Sequence, residues 1–393
     1  MLIGCLTKLL GVDDMLAPIP VLYAFSADPI TYGHINIVER IVNTFGGCLV
    51  AIGRNPLKKY LFSVDERRHL VEQALMHIPN VSVMSFDGMV VDFAREQGAR
   101  LIIKGVRNAA DMDYEQILHQ VGVSQRLGIE THVLFAEQHL AHVSSSVVKA
   151  MQEHGAIQDY VPLVVKAALE ARISGQVIIG ITGHIASGKS TLAQKFVAEA
   201  AQLGIPVHHL DMDKLGHELL AGQVVAEPLY RELCKNLCTL MGEQIMVEGI
   251  LSRRKIGSLI FSQPLLREQF NACIAQPMAI VMRKKLKALR GVILVDGALL
   301  ADLQLLHLCN YRCVLCHVDP QVQRERMLAR GYDEAELQAR LLAQWDTFEK
   351  RQHINTGIAR QGFGQLWETS AEFGATLSLA SVLASCEETK WLL

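Results

Sequence analysis

Short β-branched apolar runs alternate along this chain with stretches whose apolar positions recur at helical spacing, and the alternation starts afresh near the middle. Val21–Phe25 reads as a buried strand, followed by the polar loop "SADPITYGH" and the helical pattern "INIVERIVNTFG", which stops at a glycine pair suited to a C-cap. Cys48–Ile52 is a second strand, and Ser63 with Glu66 makes a capping-box start for "DERRHLVEQALMHI". "VSVMSF", "MVVDFAREQG" and "RLIIKG" repeat strand, helix, strand; "MDYEQILHQVGVSQRLG" is helical, "THVLFA" a strand, and "SSSVVKAMQEHG" a helix opening on serines. A new strand, Val177 to Ile181, leads into a glycine-rich turn and a helical pattern from Thr191. Strands alternating with helices predict an α/β fold with parallel sheets and right-handed crossovers, whose ligands collect at the carboxyl ends of the strands.

The restart predicts two domains: an extension over 1–20 (Met15 is a second plausible start), a first domain over 21–160, a helical connector over 161–176, a second domain over 177–360 and a tail over 361–393. Within the connector, a helical pattern follows Pro162 and a Ser174-Gly175 turn closes it.

Composition narrows the partners. The 393 residues are half apolar and one-fifth charged, with a net charge of −2, so no global basic field attracts nucleic acid or an anionic membrane. No apolar run is long enough to cross a bilayer, and Lys8 interrupts the short apolar N-terminus, a poor secretory signal. Nine scattered cysteines, an odd number, fit free thiols in a reducing cytoplasm. Cys313-Val-Leu-Cys316-His317 matches a haem-attachment spacing and Cys309 lies nearby, but "YRCVLCHVD" also reads as a buried strand in which cysteine acts as a small hydrophobe, and the strand is expected. A homo-oligomer is compatible with all of this.

Two loop sets carry candidate chemistry. Gly183 to Ser190 fits G-x-x-x-x-G-K-[ST] between strand and helix, so its backbone N–H groups can turn toward a phosphate at the helix N-terminus. Lys189 reaches for β- and γ-phosphates, Ser190 for Mg²⁺, and Ser187, Gly188 and Thr191 complete the nucleotide loop. In the first half, Ser26, Gly33 and His34 follow the first strand, Lys58 and Lys59 the second, Lys104 and Arg107 the fourth, and Ser144, Ser145 and Ser146 the fifth. Together they make a phosphate site without such a glycine loop.

At this level a resemblance becomes specific. "SADPITYGH", "NPLKKYLFSVDERRHLV", "VDFAREQGARLIIKGVRNAADMDYE" and "VSSSVVK" resemble the phosphopantetheine adenylyltransferase family over roughly residues 21–155. From about 177 to 357, the phosphate loop, Asp211-Met-Asp213, "VEGILSRRKIGSLIF", "VILVDGALLAD", Gln323-x-x-Arg326-x-x-x-Arg330 and "HINTG" resemble dephospho-CoA kinase. The resemblance implies a Rossmann-like nucleotidyltransferase domain followed by a P-loop kinase domain, and the last two steps of coenzyme A synthesis. ATP is the co-substrate and Mg²⁺ the cofactor; 4′-phosphopantetheine and dephospho-CoA are the other substrates. It assigns His34 to the α-phosphate, Ser26 and Lys58 to the reacting phosphates, Arg107, Ser145 and Ser146 to the β- and γ-phosphates, and Lys104 to the incoming phosphate, with Glu115 a weaker candidate. In the second half Asp211 and Asp213 share base and Mg²⁺ roles that the sequence does not divide, Arg326 and Arg330 close over phosphates, and Asn355 contacts nucleotide. Departures from the family pattern are Phe25, Ser26 and Ala27 in the first loop, Lys104 in place of arginine, Gly122, Gln276-Pro277 and Asp296-Gly-Ala298. They leave a main rival, a kinase whose first half only senses a nucleotide or pantetheine compound, and a third reading, a scaffold or regulatory subunit with both sites inactive, against which the intact phosphate loop argues.

Overall fold

In both halves the apolar runs become the inner strands of five-stranded parallel sheets, because a strand covered by helices on both faces has no polar side to present. The computed structural model describes residues 21–391 apart from 57, 156, 262 and 371–376, so the expected extension over 1–20 lies outside the described residues. The chain divides into two units. One holds residues up to 151 with 157–165, the other 152–155 and the residues from 166 on.

The first unit runs β1 (Val21–Phe25), α1 (Tyr32–Phe45), β2 (Cys48–Ile52), α2 (Val64–Leu75), β3 (Val81–Ser85), α3 (Val90–Glu96), β4 (Leu101–Val106), α4 (Ala109–Ser124), β5 (Glu130–Phe135) and α5 (Ser145–Gln152). Its sheet order is β3-β2-β1-β4-β5, all parallel. Connections step outward from β1 in one direction and then from β4 in the other, so the crevice at the carboxyl ends of β1 and β4 is the switch point where a nucleotide fits. Leu22, Val50 and Ile102 are fully buried at the sheet centre. Helix α1 buries Ile35, Ile37, Val38 and Ile41 and ends at Gly46 in the left-handed region; α2 has the Ser63/Glu66 capping box. Helix α4 buries none of its residues, and Tyr114, Ile117 and Val121 are exposed.

The chain continues through α6 (Leu163–Leu169), which starts in the first unit and enters the second at Lys166, and in the second unit through a π-helical turn over Glu170–Ser174, β6 (Gln176–Gly183), α7 (Lys189–Leu203), β7 (Val207–Asp211), α8 (Met212–Leu220), α9 (Glu227–Met241), the hairpin β8 (Met246–Val247) and β9 (Ile250–Leu251), α10 (Arg253–Ile260) and α11 (Pro264–Lys287). Then come β10 (Gly291–Asp296), β11 (Arg312–His317), α12 (Pro320–Ala329), α13 (Glu334–Leu342), α14 (Thr347–Gln361), β12 (Gln365–Ser370) and α15 (Leu379–Ala384). The order is β12-β11-β6-β10-β7, again parallel.

Two placements go beyond the sequence reading. Residues 365–370, set apart above as tail, are strand β12 against β11, and α15 packs its Leu379, Val382 and Leu383 into the same core as Phe196 of α7. The connector is shared: Lys166 and Glu170 form a buried triad with Asn310, with Lys166 Nζ donating to Glu170 Oε1 (2.6 Å) and Asn310 Oδ1 (2.7 Å), and Asn310 Nδ2 to Glu170 Oε2 (2.6 Å). A polar core cluster with these donors all satisfied fixes that half of the connector to the second unit. Cys313 and Cys316 lie in buried β11, and burial pushes the Cys309 and Cys316 thiols up to about 12, as for small hydrophobes.

Candidate active sites

In the first unit the T-x-G-H run is a helix cap. Thr31 is the N-cap of α1 and His34 its third helical residue, so the imidazole folds back and Nδ1 accepts the Thr31 N–H at 3.1 Å. That bond puts the ring proton on Nε2 and leaves Nε2–H as the free donor. Burial, with Arg107 and Lys58 nearby, pushes the His34 pKa down to about 3, so the ring is neutral at physiological pH. Gly33 lies in the same turn. A Cβ there meets nothing closer than 3.6 Å, and the residue lines the cavity.

This cavity, about 590 Å³, brings His34, Ser26, Lys58, Lys104, Arg107 and the serines 144–146 to one place. Lys58 Nζ is 3.3 Å from Ser26 Oγ. Lys104 pairs with Glu115 at 2.9 Å, and Arg107 is gripped by Asp111 through Nε (2.8 Å) and Nη2 (3.0 Å). Ser144 Oγ accepts the Val147 N–H and begins α5, while Ser145 Oγ donates to Pro29 O at 2.8 Å. The loop is braced by two residues that sequence reasoning did not single out. Buried Asp28 accepts the N–H groups of Leu61 and Phe62 and the ammonium of Lys149 (2.7 Å), and buried Arg67 donates to Ser26 O and to Gly53 O (2.9 Å), tying the ends of β1 and β2 together. Both sit inside motifs quoted above, but their partners lie 14 to 121 residues away, beyond any local pattern.

In the second unit Gly183, at φ 150°, would put a Cβ 2.5 Å from Cys316 O, so only glycine fits the start of the phosphate loop. Gly188 caps α7, which begins at Lys189, ahead of the expected Thr191. Lys189 is buried and its Nζ rests on His184 O at 3.0 Å; Ser190 Oγ donates to Asp296 Oδ2 at 2.7 Å. Ser187 Oγ is buried without a protein partner. Asp296, the last residue of β10, was read above only as a departure; its signal is an apolar strand ending in a carboxylate, "VILVD". Register sets it beside Asp211 of β7, and His209 Nε2 also reaches it at 3.3 Å. Asp211 caps α8 by accepting the Lys214 N–H (2.9 Å). Burial pushes the Asp213 carboxyl above the usual range, opposed by Lys189 and reinforced by Asp296 and Asp211, although the residue keeps an exposed face.

Gln323 and Arg326 of α12 lie on this loop. Gln323 Nε2 donates to His184 Nδ1 (2.7 Å) and Ile185 O (2.6 Å), Arg326 to Ala186 O (3.2 Å), and Gln344 Oε1 accepts the Ile185 N–H (2.9 Å). Arg330 is the exposed C-cap of α12. Asn355 is exposed on α14, and Thr191 is exposed on α7.

Residues 23–151 match the cytidylyltransferase-like family profile and 177–362 the dephospho-CoA kinase profile. The chain is 45% identical over 130 residues to a phosphopantetheine adenylyltransferase of Symbiobacterium thermophilum, covering 33% of this chain and 80% of that protein. The chain belongs to the phosphopantetheine adenylyltransferase family. A second member, from Haemophilus ducreyi, is 38% identical over 153 residues, covering 39% of this chain and 95% of its own. In this family member the kinase-like unit follows in the same chain.

Two outcomes are expected of these sites. The His34 ring signals in NMR, identified by their loss in His34→Ala, should not titrate between pH 8 and 5, since the folded pKa lies near 3. Because that value is below the ordinary one near 6.5, the stability this group contributes is complete above about 6.5 and is lost as pH falls toward 3. A midpoint near 6.5 would show an open, solvated ring. Asp296→Ala should lower ATP-dependent phosphorylation on the order of 10²-fold or more, because Ser190 loses its partner at the phosphate loop; a rate within a few-fold of the parent would make Asp296 a packing residue.

Proposed function

We propose that the chain catalyses two consecutive transfers: adenylyl transfer from ATP to 4′-phosphopantetheine, then phosphorylation of the dephospho-CoA so formed. The convergence of His34, Lys58, Arg107 and Ser145 on one cavity carries the reading. In the first step the 4′-phosphate oxygen attacks the α-phosphorus, the bond to the β-phosphate breaks, and pyrophosphate leaves. A phosphate dianion needs no base, so positioning and charge stabilisation suffice. Neutral His34 donates Nε2–H to the α-phosphate, Lys58 and Ser26 hold the reacting phosphates, Arg107, Ser145 and Ser146 take the β- and γ-phosphates, and Lys104 the incoming phosphate. Glu115 and Asp111 orient Lys104 and Arg107.

In the second step the ribose 3′-OH attacks the γ-phosphorus of another ATP, ADP leaves, and the hydroxyl proton passes to a carboxylate. Asp211 caps α8 and lies beside Asp296, on the Mg²⁺ side, and Asp213, near Lys189 and with its carboxyl pushed up by burial, is the acceptor. Lys189 leaves the His184 carbonyl for the β- and γ-phosphates, and Arg326 closes from the lid. Ser190 and Asp296, with Asp211 beside them, offer the oxygen-only donors that suit Mg²⁺ completed by substrate phosphates. Mg²⁺ bound there would neutralise charge on the β- and γ-phosphates. No described helix is long and apolar enough to cross a membrane, and the described cysteines are free thiols, which supports a cytoplasmic setting.

A product time course with phosphopantetheine, ATP and Mg²⁺ tests the reading. Dephospho-CoA should appear first and CoA after it. CoA formed only from added dephospho-CoA would leave the first unit a sensor.

A further inference from the structure

The hydrogen bond from Thr31 fixes one edge of the His34 imidazole but not its plane, since a ring held at a single nitrogen can still rock about that bond. A second constraint comes from the strand below. Tyr23 and Phe25 lie two apart on β1 and therefore share a face, and their rings stack at 4.8 Å and 27°. The Phe25 ring in turn lies flat on His34, with centroids 4.5 Å apart and planes 14° from parallel. The base of the pile is anchored: Tyr23 is buried and paired with both β2 and β4, and Phe25 is in register with Ile52 of β2. All three rings border the cavity that holds Lys58 and Arg107.

We propose that Phe25 is a positioning residue for the adenylyl-transfer step, setting the plane of the His34 ring and so the direction of its Nε2–H donor. This rests on the reading of His34 as the donor to the α-phosphate. A transition-state donor works only when it is already aimed, and misplacement by about 1 Å can cost on the order of 10²-fold. One face of the imidazole is covered by Phe25 and one edge is held by Thr31, which leaves the Nε2–H edge for ligand. An aromatic face is what a planar partner requires; an aliphatic side chain of similar bulk fills space without fixing the plane.

The test uses the full-length chain and its Phe25→Ala, Phe25→Leu and Phe25→Tyr variants, assayed for dephospho-CoA formation from phosphopantetheine and for phosphorylation of added dephospho-CoA. Phe25→Ala and Phe25→Leu should lower kcat of the first step roughly 10- to 100-fold, with KM for ATP little changed and the second step at the parent rate. Phe25→Tyr, which keeps the ring, should retain the activity. In NMR, the His34 ring protons should move downfield in Phe25→Leu as they leave the shielding of the stacked face. If Phe25→Leu matches the parent, apolar volume is all the site needs and the role is overturned. If Phe25→Ala is faster than the parent, the ring obstructs nucleotide entry, which also overturns it. A parent that forms no dephospho-CoA sinks the adenylyl-transfer reading itself, whereas a parent that turns over beside an equally active Phe25→Leu sinks only the part given to Phe25.

Discussion

His34→Ala should abolish most dephospho-CoA formation from phosphopantetheine while phosphorylating added dephospho-CoA near the parent rate, and Lys189→Ala should do the reverse and let dephospho-CoA accumulate. The two side chains lie in different units and on unrelated phosphate sites, one a capped histidine and one a glycine-loop lysine. His34 offers one oriented neutral donor, and losing such a donor to a transition-state oxygen costs on the order of 10²-fold or more. Lys189 is buried, with its ammonium resting on His184 O, so its removal takes from the loop the ammonium that would reach the β- and γ-phosphates. Chromatography of both products for the parent and both variants, with melting curves to show each is folded, measures the split. Equal slowing of both steps by His34→Ala would mean that the sites are coupled or that the first unit has collapsed, and the division of labour would fall.

Most of this division was legible in the sequence because it rests on local signals. The strands β1, β2 and β6, the Ser63 capping box and the glycine loop all depend on residues within a few positions of one another. What escaped depends on register or on distant partners. Asp296 is visible as the polar end of an apolar run, but its pairing with Ser190, 106 positions away in sequence, exists only once β10 lies beside β6. Strand β12, "QLWETS", alternates without a strong apolar face because it is an edge strand packed from one side, and it lies past the end of recognisable motifs. The ring pile on His34 follows from a departure, Phe25, that a family pattern can only flag as unusual.

The largest stability effect should come from a lysine that touches no proposed ligand. Lys350 of α14 is fully buried; its ammonium pairs with Asp302 and donates to Ala298 O at 2.8 Å, and the other Asp302 oxygen accepts the Trp345 N–H at 2.9 Å. Burial pushes the Lys350 pKa down, with the Asp302 charge opposing the shift. Removing one member of such a pair strands a buried charge at a cost of about 3–5 kcal/mol. Lys350→Met should therefore lower the melting temperature of the second unit by roughly 6–20 °C, at ~2–4 °C per kcal/mol for a domain of this size. Lys350→Met with Asp302→Leu should recover most of that loss, because a well-packed apolar pair does without the desolvation that the ion pair has to offset. A single-variant loss below about 1 kcal/mol would mean that water reaches the stranded carboxylate. The kinase step should fall along with stability in the single variant, since the Ala298 backbone that Lys350 holds also hydrogen-bonds the Asp213 carboxyl. Adenylyl transfer, on its own unit with its own core, should keep its rate at temperatures below the shifted transition.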